Sequence, residues 1–389
     1  MTYLKKPKIC GVATKAFGVK WFMLDNLKYA GEHGFEPYIV CEKTDIFSEE
    51  ELKGIKYIPL DMQRGYVSPL EVIKSVKRLY KILRKEKIDI VQYNSSNASL
   101  NCCIAAWLAR IPVRVYCQWG MSYSTYSGIK RLFYRTIEKF VCLFSTDVQP
   151  DSFANLEYAK KDNLYNPKKG YVIGKGSANG VDMYKFDIGC KVQWREEIRE
   201  KHSIDKQSLV FGFVGRLVPD KGVNELFSAF LKLDNPDCKL VVVGPYYEVE
   251  KLDQEVYTQA QNNPNIIFVG NVSNPAKYYA SMDYLVLPSY REGFGSVVIE
   301  AAAMGVPTIC SRIKGPTDFV KDNVNGFICE VKSVDSLYNT MKKSCSLSRE
   351  DYERISQCAY SEVAKDFDAK VFRKLFVENR KELYLKRKK

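Results

Sequence analysis

The sequence predicts an α/β protein built of two doubly wound, parallel-sheet domains. Three observations predict it. At 389 residues the chain is too long for one ordinary core and long enough for two. Short apolar runs alternate with helical patterns, the signature of strand–crossover–strand units and of sheets covered on both faces. The alternation runs through two cycles of similar size, separated by a polar connecting stretch, Asp182 to Ser208.

The first cycle opens with a strand at Ile9–Ala13. A helix follows from Phe17 to His33, closed by Gly34. Strands at Tyr38–Cys41 and Ile58–Leu60 come next, then a helix from Pro69 to Lys87 with Val72, Val76, Leu79 and Leu83 on one face. Strand Ile88–Tyr93, helix Ala98–Ala109, strand Val113–Gln118, helix Lys130–Leu143 and strand Asp147–Gln149 complete it. The second cycle reads as strands Leu209–Val214, Lys239–Val243, Ile266–Val269, Tyr284–Leu287, Thr308–Cys310 and Gly326–Cys329. Its helices are Val223–Leu233, Glu248–Gln261, Pro275–Ala280, Ser296–Met304 and Ser333–Lys342. The last stretch, Ala369 to Leu385, is helical, rich in Lys and Arg, and ends in a basic tail, Lys386 to Lys389. It reads as a solvated helix.

Charge and cysteine usage narrow the class. A formal net charge of +13 favours anionic partners. No zinc finger or aromatic RNA-binding motif accompanies it, so nucleic acid is not among the expected partners. None of the 12 cysteines forms a Cys-x-x-Cys pair, which argues against a zinc site and for buried thiols in a reducing cytoplasm. Lys5, Lys6 and Lys8 precede an apolar run too short for a signal-peptide core, and no stretch is long enough to span a membrane. A cytoplasmic protein, or one peripheral on the inner face of the plasma membrane, is expected.

Chemistry concentrates in the second cycle. Strand Leu209–Val214 runs into Gly215 and Arg216, and Lys221-Gly222 opens the next helix. Two cations and a helix N-terminus beyond a strand's carboxyl end suit a diphosphate. Strand Tyr284–Leu287 runs through Pro288-Ser289-Tyr290-Arg291 into Glu292-Gly293-Phe294-Gly295 and the helix that carries Glu300. The glycines let backbone N–H groups approach a ligand, and the Glu-x(7)-Glu spacing lets both carboxylates face one crevice. A carboxylate there can accept two hydrogen bonds from a ribose diol. The competing reading of Glu300, a buried ion pair inside an apolar helix, is kept in view because a buried charge needs a partner.

This segment resembles the signature of family-4 glycosyltransferases, which have the GT-B fold of two Rossmann-like domains facing a central cleft. Gly176-Ser177-Ala178-Asn179-Gly180-Val181-Asp182, Gly315-Pro316-Thr317-Asp318 and Asn325-Gly326 resemble further loops of that family. The resemblance implies a retaining, metal-independent transferase using a nucleotide diphosphate sugar, with UDP the expected carrier and no cofactor beyond that substrate. Arg216 and Lys221 would neutralise the diphosphate, Glu300 would hold the ribose, and Glu292 with the backbone of Gly293, Phe294 and Gly295 would hold the transferred sugar and distal phosphate. It implies residues 1–182 as an acceptor-binding domain, 183–365 as the nucleotide-sugar domain, and 366–389 as a basic helix free to cross back to the first. Asp366-Phe367-Asp368, the only Asp-x-Asp triplet, lies far from the donor loops and reads as a helix cap, not a metal motif.

The first domain departs from the family pattern. Relatives carry a histidine after the strand corresponding to Ile88–Val91, where this chain has Gln92-Tyr93-Asn94-Ser95. Its two histidines, His33 and His202, read as surface residues, which leaves Asn94 or Ser95 for the sugar. Acceptor loops are expected at Thr14–Gly18, where Gly18 could also admit the donor phosphate, and at Gln118–Tyr123, whose Trp119 and Tyr123 suit either sugar stacking or the core. The first half also resembles enzymes that extend undecaprenyl-diphosphate-linked sugars in capsule and O-antigen assembly, through Ile90–Pro112 and Gly174-Lys175-Gly176-Ser177. A lipid-linked acceptor follows from that resemblance. Helices Glu71–Lys87 and Lys130–Leu143 are basic and amphipathic, fit for an anionic membrane surface, with their apolar stripes expected to pack inward. Two other readings stand beside the transferase: a UDP-sugar epimerase of the same fold and a non-catalytic nucleotide-sugar-binding subunit.

Overall fold

A computed structural model describes residues 6–63 and 68–388. Lys5 and Lys389, of the two basic ends, lie outside the described residues. The chain divides into two units, Met1–Asn179 with Lys370–Lys389, and Gly180–Ala369.

In unit 1, strands β1 (Lys8–Val12), β2 (Glu36–Cys41), β3 (Lys56–Pro59), β4 (Ile90–Tyr93), β5 (Val113–Gln118) and β6 (Asp147–Pro150) form one sheet in the order β3-β2-β1-β4-β5-β6. Every pair is parallel. Successive residues feed opposite faces: Ile9, Ile39, Ile90 and Val115 enter one core, Cys10, Val40, Val91 and Tyr116 the other. That is why these strands read as continuous apolar runs. In unit 2, β7 (Leu209–Val214), β8 (Cys238–Val243), β9 (Ile266–Gly270), β10 (Tyr284–Leu287), β11 (Thr308–Ser311) and β12 (Gly326–Cys329) repeat the plan, ordered β12-β11-β10-β7-β8-β9 and all parallel.

Several readings change. Phe17–His33 is two helices, Ala16–Phe22 and Leu24–Glu32, broken at Met23. Glu248–Gln261 shortens to Gln254–Asn262, because the Asp253 side chain caps the N–H groups of Glu255 and Val256. The polar connector Asp182–Ser208 contains a helix, Lys191–Lys201. Among its residues only Ile198 and Arg199 are buried, so its apolar periodicity is weak. Ion pairs hold it instead: Arg195 Nη2 and Arg199 Nη2 meet Asp283 at 2.7 and 2.9 Å.

The C-terminal helix Ala369–Lys388 is not simply solvated. Phe372, Phe376, Val377 and Leu383 join the core under the first sheet. Arg380, fully buried, donates to Gln92 Oε1 (3.1 Å) and Gln149 Oε1 (2.6 Å), and Arg387 pairs with Asp147 at 2.9 Å.

The two basic helices of unit 1 differ. Pro69–Glu86 buries Leu79 and Leu83 and turns its cations outward, as its pattern requires. Gly128–Phe144 does the reverse of the expectation for much of its apolar surface: only Val141 and Cys142 are buried, while Ile129 is 88% and Phe133 59% exposed. No helix among the described residues is long and apolar enough to cross a membrane.

Candidate functional site

In unit 2 the strand order reverses between β7 and β10. Ligands of doubly wound sheets bind beyond the carboxyl ends of strands at such a switch point. Three loops meet there, and their glycines are dictated by contact. Gly222 has φ +68°, and a Cβ on it would lie 2.1 Å from the Pro288 carbonyl oxygen. Gly315 has φ +93°, and a Cβ would lie 2.2 Å from the Gly293 oxygen. Only glycine lets the loops after β7 and β11 close on the loop after β10. Tyr290 N donates to Asp220 O (2.9 Å), and Arg291 Nη2 meets Asp220 at 2.7 Å, so the first two loops are laced together.

This lacing brings Lys221 to Glu292. Lys221 Nζ donates to Glu292 Oε1 at 2.5 Å, and Ser289 Oγ donates to the same oxygen at 2.8 Å. Both partners of the ion pair are largely screened from solvent, with side chains 21% and 12% exposed. Gly215 follows the end of β7, its N–H bonded to Val243 O. Arg216 follows, exposed, with its guanidinium 5.7 Å from the Tyr247 ring centre and no carboxylate partner among the described residues. Arg216 and Lys221 thus stand in the same loop after β7, one without a carboxylate partner among the described residues and one paired.

Gly295, in the left-handed region, is the N-cap of helix Ser296–Ala303, which has no side-chain cap and so leaves its first N–H groups for a ligand. Phe294 is buried against Phe367, so only its backbone can serve the site. Glu300 lies one turn into that helix, and Tyr279 OH donates to its Oε2 at 2.8 Å. No cation pairs with it among the described residues, so the buried-ion-pair reading fails. Burial pushes the Glu300 carboxyl above the usual range, with the Tyr279 hydroxyl opposing.

The structure thus brings Lys221 and Glu292 into contact and sets Gly215, Arg216, Gly293, Phe294, Gly295 and Glu300 at the same edge of one sheet. Gly18 belongs to unit 1. It lies within helix Ala16–Phe22 and not in a turn, with nothing within 4 Å of a Cβ placed on it. Tyr279 was missed by sequence reasoning, and Ser289 was read only as part of a motif. Tyr279 carries no local signal, because it reaches Glu300 across a packed contact between two helices, whereas Ser289 stands only three residues from Glu292 in the same loop.

Unit 1 has its own polar edge. Ser95, at φ +67°, hydrogen-bonds Thr14 through their hydroxyls (2.9 Å), and buried Asn94 has an Oδ1 without a partner among the described residues. Gln118 Nε2 and Tyr116 OH both donate to Glu138 Oε1, at 2.6 and 2.9 Å. Trp119 is half-buried against Phe22 (5.4 Å), while Tyr123 is buried and belongs to the core. His33 ends helix Leu24–Glu32, exposed. His202 is not a plain surface residue: it ends helix Lys191–Lys201, half-buried 5.9 Å from the Tyr278 ring. Asp366 ends helix Arg349–Asp366, and Asp368 pairs with Val181 in a short bridge.

Known proteins match this organisation. Residues 8–152 match the family model described as "Glycosyl transferase 4-like", and residues 194–362 the one described as "Glycosyl transferases group 1". The capsular polysaccharide biosynthesis glycosyltransferase CapM of Staphylococcus aureus is 29% identical over 343 residues, 87% of this chain and 88% of that protein. The UDP-Gal:alpha-D-GlcNAc-diphosphoundecaprenol alpha-1,3-galactosyltransferase of Escherichia coli is 28% identical, over 83% of this chain and 84% of its own. Among solved structures, a glycosyltransferase from Rickettsia africae ESF-5 superposes with a TM-score of 0.80 at 21% identity, covering 99% of this chain and 100% of its own.

Proposed function

The chain belongs to the two-domain glycosyltransferases in which a 4-like domain precedes a group 1 domain, and on that premise we propose that it moves a sugar from a UDP-linked donor to a lipid-linked glycan acceptor during assembly of a bacterial surface polysaccharide. The observation that carries the donor half is the Lys221–Glu292 contact in the loops at the switch point of unit 2, where Arg216, in the same loop as Lys221, has no carboxylate partner among the described residues. Arg216 and Lys221 would stabilise charge on the leaving diphosphate, and such fixed charge is worth most where water is excluded. Glu300 would accept the ribose hydroxyls, and Glu292 those of the transferred sugar.

The reaction proceeds with retention and without a metal. The bond from the anomeric carbon to the phosphate oxygen breaks with its electron pair leaving on the diphosphate. The acceptor oxygen bonds to that carbon on the same face, and its proton passes to the departing phosphate. The acceptor reading draws on the diphosphoundecaprenol substrate in the name of the Escherichia coli relative. A membrane-bound acceptor calls for a protein that meets the bilayer, and unit 1 supports this with Ile129, Leu132, Phe133 and Leu143 exposed beside Lys130 and Lys139.

The test is a panel of nucleotide sugars, with and without chelator, and with and without a synthetic lipid-diphosphate sugar. Release of free nucleoside diphosphate that needs acceptor and survives chelation is the expected result. Conversion of donor without acceptor would overturn it in favour of the epimerase. Binding without any turnover would favour the non-catalytic subunit.

A further inference from the structure

Two hydroxyls touch the carboxylates of the candidate site, and neither can touch a substrate. Ser289 and Tyr279 are both fully buried. Ser289 Oγ donates to Glu292 Oε1, the oxygen that also receives Lys221 Nζ. Tyr279 OH donates to Glu300 Oε2. In each carboxylate one oxygen is claimed, and the other, Glu292 Oε2 or Glu300 Oε1, takes no hydrogen bond among the described residues.

From this arrangement we propose that Ser289 and Tyr279 are positioning residues, each fixing one carboxylate oxygen so that the other is presented to the hydroxyls of a nucleotide sugar. The proposal rests on the donor reading above and assigns Ser289 to the transferred sugar and Tyr279 to the ribose.

The physical case is one of competition. A carboxylate held only by Lys221 would be released when a diphosphate arrived, because the ammonium would then be shared with a stronger anion. Ser289 is neutral and buried, so the diphosphate does not compete for its proton. It keeps Glu292 in place while Lys221 turns to the donor. Tyr279 does the same work for a carboxylate that has no cation partner among the described residues. It comes from helix Pro275–Ser281, a different element from the one that carries Glu300, so it fixes the side chain from across a packed contact. Hydrogen bonds to a charged group are worth enough to change occupancy of a rotamer by roughly ten- to a hundredfold.

The experiment compares Ser289→Ala, Ser289→Thr and Tyr279→Phe with wild type, and includes Glu292→Gln as the check on the donor reading. Steady-state kcat and KM, affinity for the free nucleoside diphosphate, and melting temperature are measured for each. Ser289→Ala is expected to lose kcat roughly tenfold or more while nucleoside diphosphate affinity stays at the wild-type value, and Ser289→Thr to restore kcat. Tyr279→Phe is expected to lose nucleoside diphosphate affinity roughly tenfold, since the ribose is present in that ligand. If Ser289→Ala fails to fold, Ser289→Cys, which keeps the volume and loses the strong donor, is measured in its place. Glu292→Gln inactive with Ser289→Ala at wild-type kcat, or Tyr279→Phe at wild-type affinity, overturns the positioning roles and leaves the donor reading standing. Glu292→Gln at wild-type activity overturns the donor reading itself.

Discussion

At the scale of single residues, Glu300 carries a conflict that can be measured. Its carboxylate is desolvated, and its one partner among the described residues is a phenol. Burial therefore holds its folded-state pKa above the unfolded value, so the charged form is the one that folding disfavours. The sign follows. Its contribution to stability is greatest below the unfolded pKa, roughly 4.3, and falls as pH rises through the higher folded value. At pH 7, Glu300→Gln should melt at or above the wild-type temperature. Binding runs the other way, because only the ionised carboxylate accepts both ribose hydroxyls. Affinity for a nucleotide sugar, whose esterified diphosphate does not itself titrate in this range, should weaken on acidification at a higher pH than an ordinary carboxylate would produce. Glu300→Gln should bind weakly at every pH and lose that step. Calorimetric titration from pH 8 to 5 checks both, and an acid step that survives in Glu300→Gln would assign it to another group. A more stable but weaker-binding variant marks a residue placed for its ligand and not for the fold.

At the scale of elements, what was legible depended on whether the stabilising contact was local. β7, β10 and β12 begin and end where their apolar runs do, because a strand buried on both faces has no polar position to blur it. Helix Lys191–Lys201 was invisible, since Arg195 and Arg199 hold it through Asp283, more than eighty residues away. The site follows the same rule. Arg216, Lys221, Glu292 and Glu300 stand in loop and helix patterns that the chain spells out, whereas Tyr279 reaches Glu300 only after two helices pack. Helix Gly128–Phe144 shows the converse, an amphipathic pattern read correctly with its apolar face assigned inward. In the fold that face is left largely to solvent, and Arg131 and Arg135 are spent on Asp162. Lys130 and Lys139 remain to meet an anionic surface. Trp107, edge-on to Phe144 at 5.2 Å, and Leu108 extend the exposed apolar side chains onto the neighbouring helix. Burial of one such side chain is worth about 1.5–3 kcal/mol, and each cation about 1 kcal/mol near the surface. Leu132→Glu with Phe133→Glu should therefore lower partition onto vesicles rich in anionic lipid at least tenfold, with turnover on a water-soluble short-chain acceptor unchanged. Flotation assays on vesicles with and without anionic lipid read this out, and equal partition of variant and wild type would remove the helix from the membrane.

At the scale of the whole molecule, the chain order and the folding units do not coincide. Unit 1 is discontinuous: its sheet is made by residues before Asn179, and one side of its core is closed by Phe372, Phe376, Val377 and Leu383 of the last helix. Unit 2 is continuous from Gly180 to Ala369, with its own hydrophobic core around Phe211, Phe227 and Leu240. Removing everything after Ala369 should therefore damage the half that is remote in sequence and spare the half it was cut from. The cut takes away Phe372, Phe376, Val377 and Leu383, whose burial is worth about 1.5–3 kcal/mol each as an upper estimate. It also leaves Gln92 and Gln149 without Arg380, their buried donor. A loss of that size rivals the whole stability of a typical domain, about 5–15 kcal/mol. The shortened chain should lose its first half to limited proteolysis while the second half still responds to nucleoside diphosphate. That response is calculable, since ligand at a hundred times its Kd stabilises the unit it binds by about 2.7 kcal/mol. A protected first half would reduce the last helix to a tail. Loss of the nucleotide response together with the first half would mean that unit 2 cannot hold its fold alone, and that the two sheets, though each has its own core, are stable only as one chain.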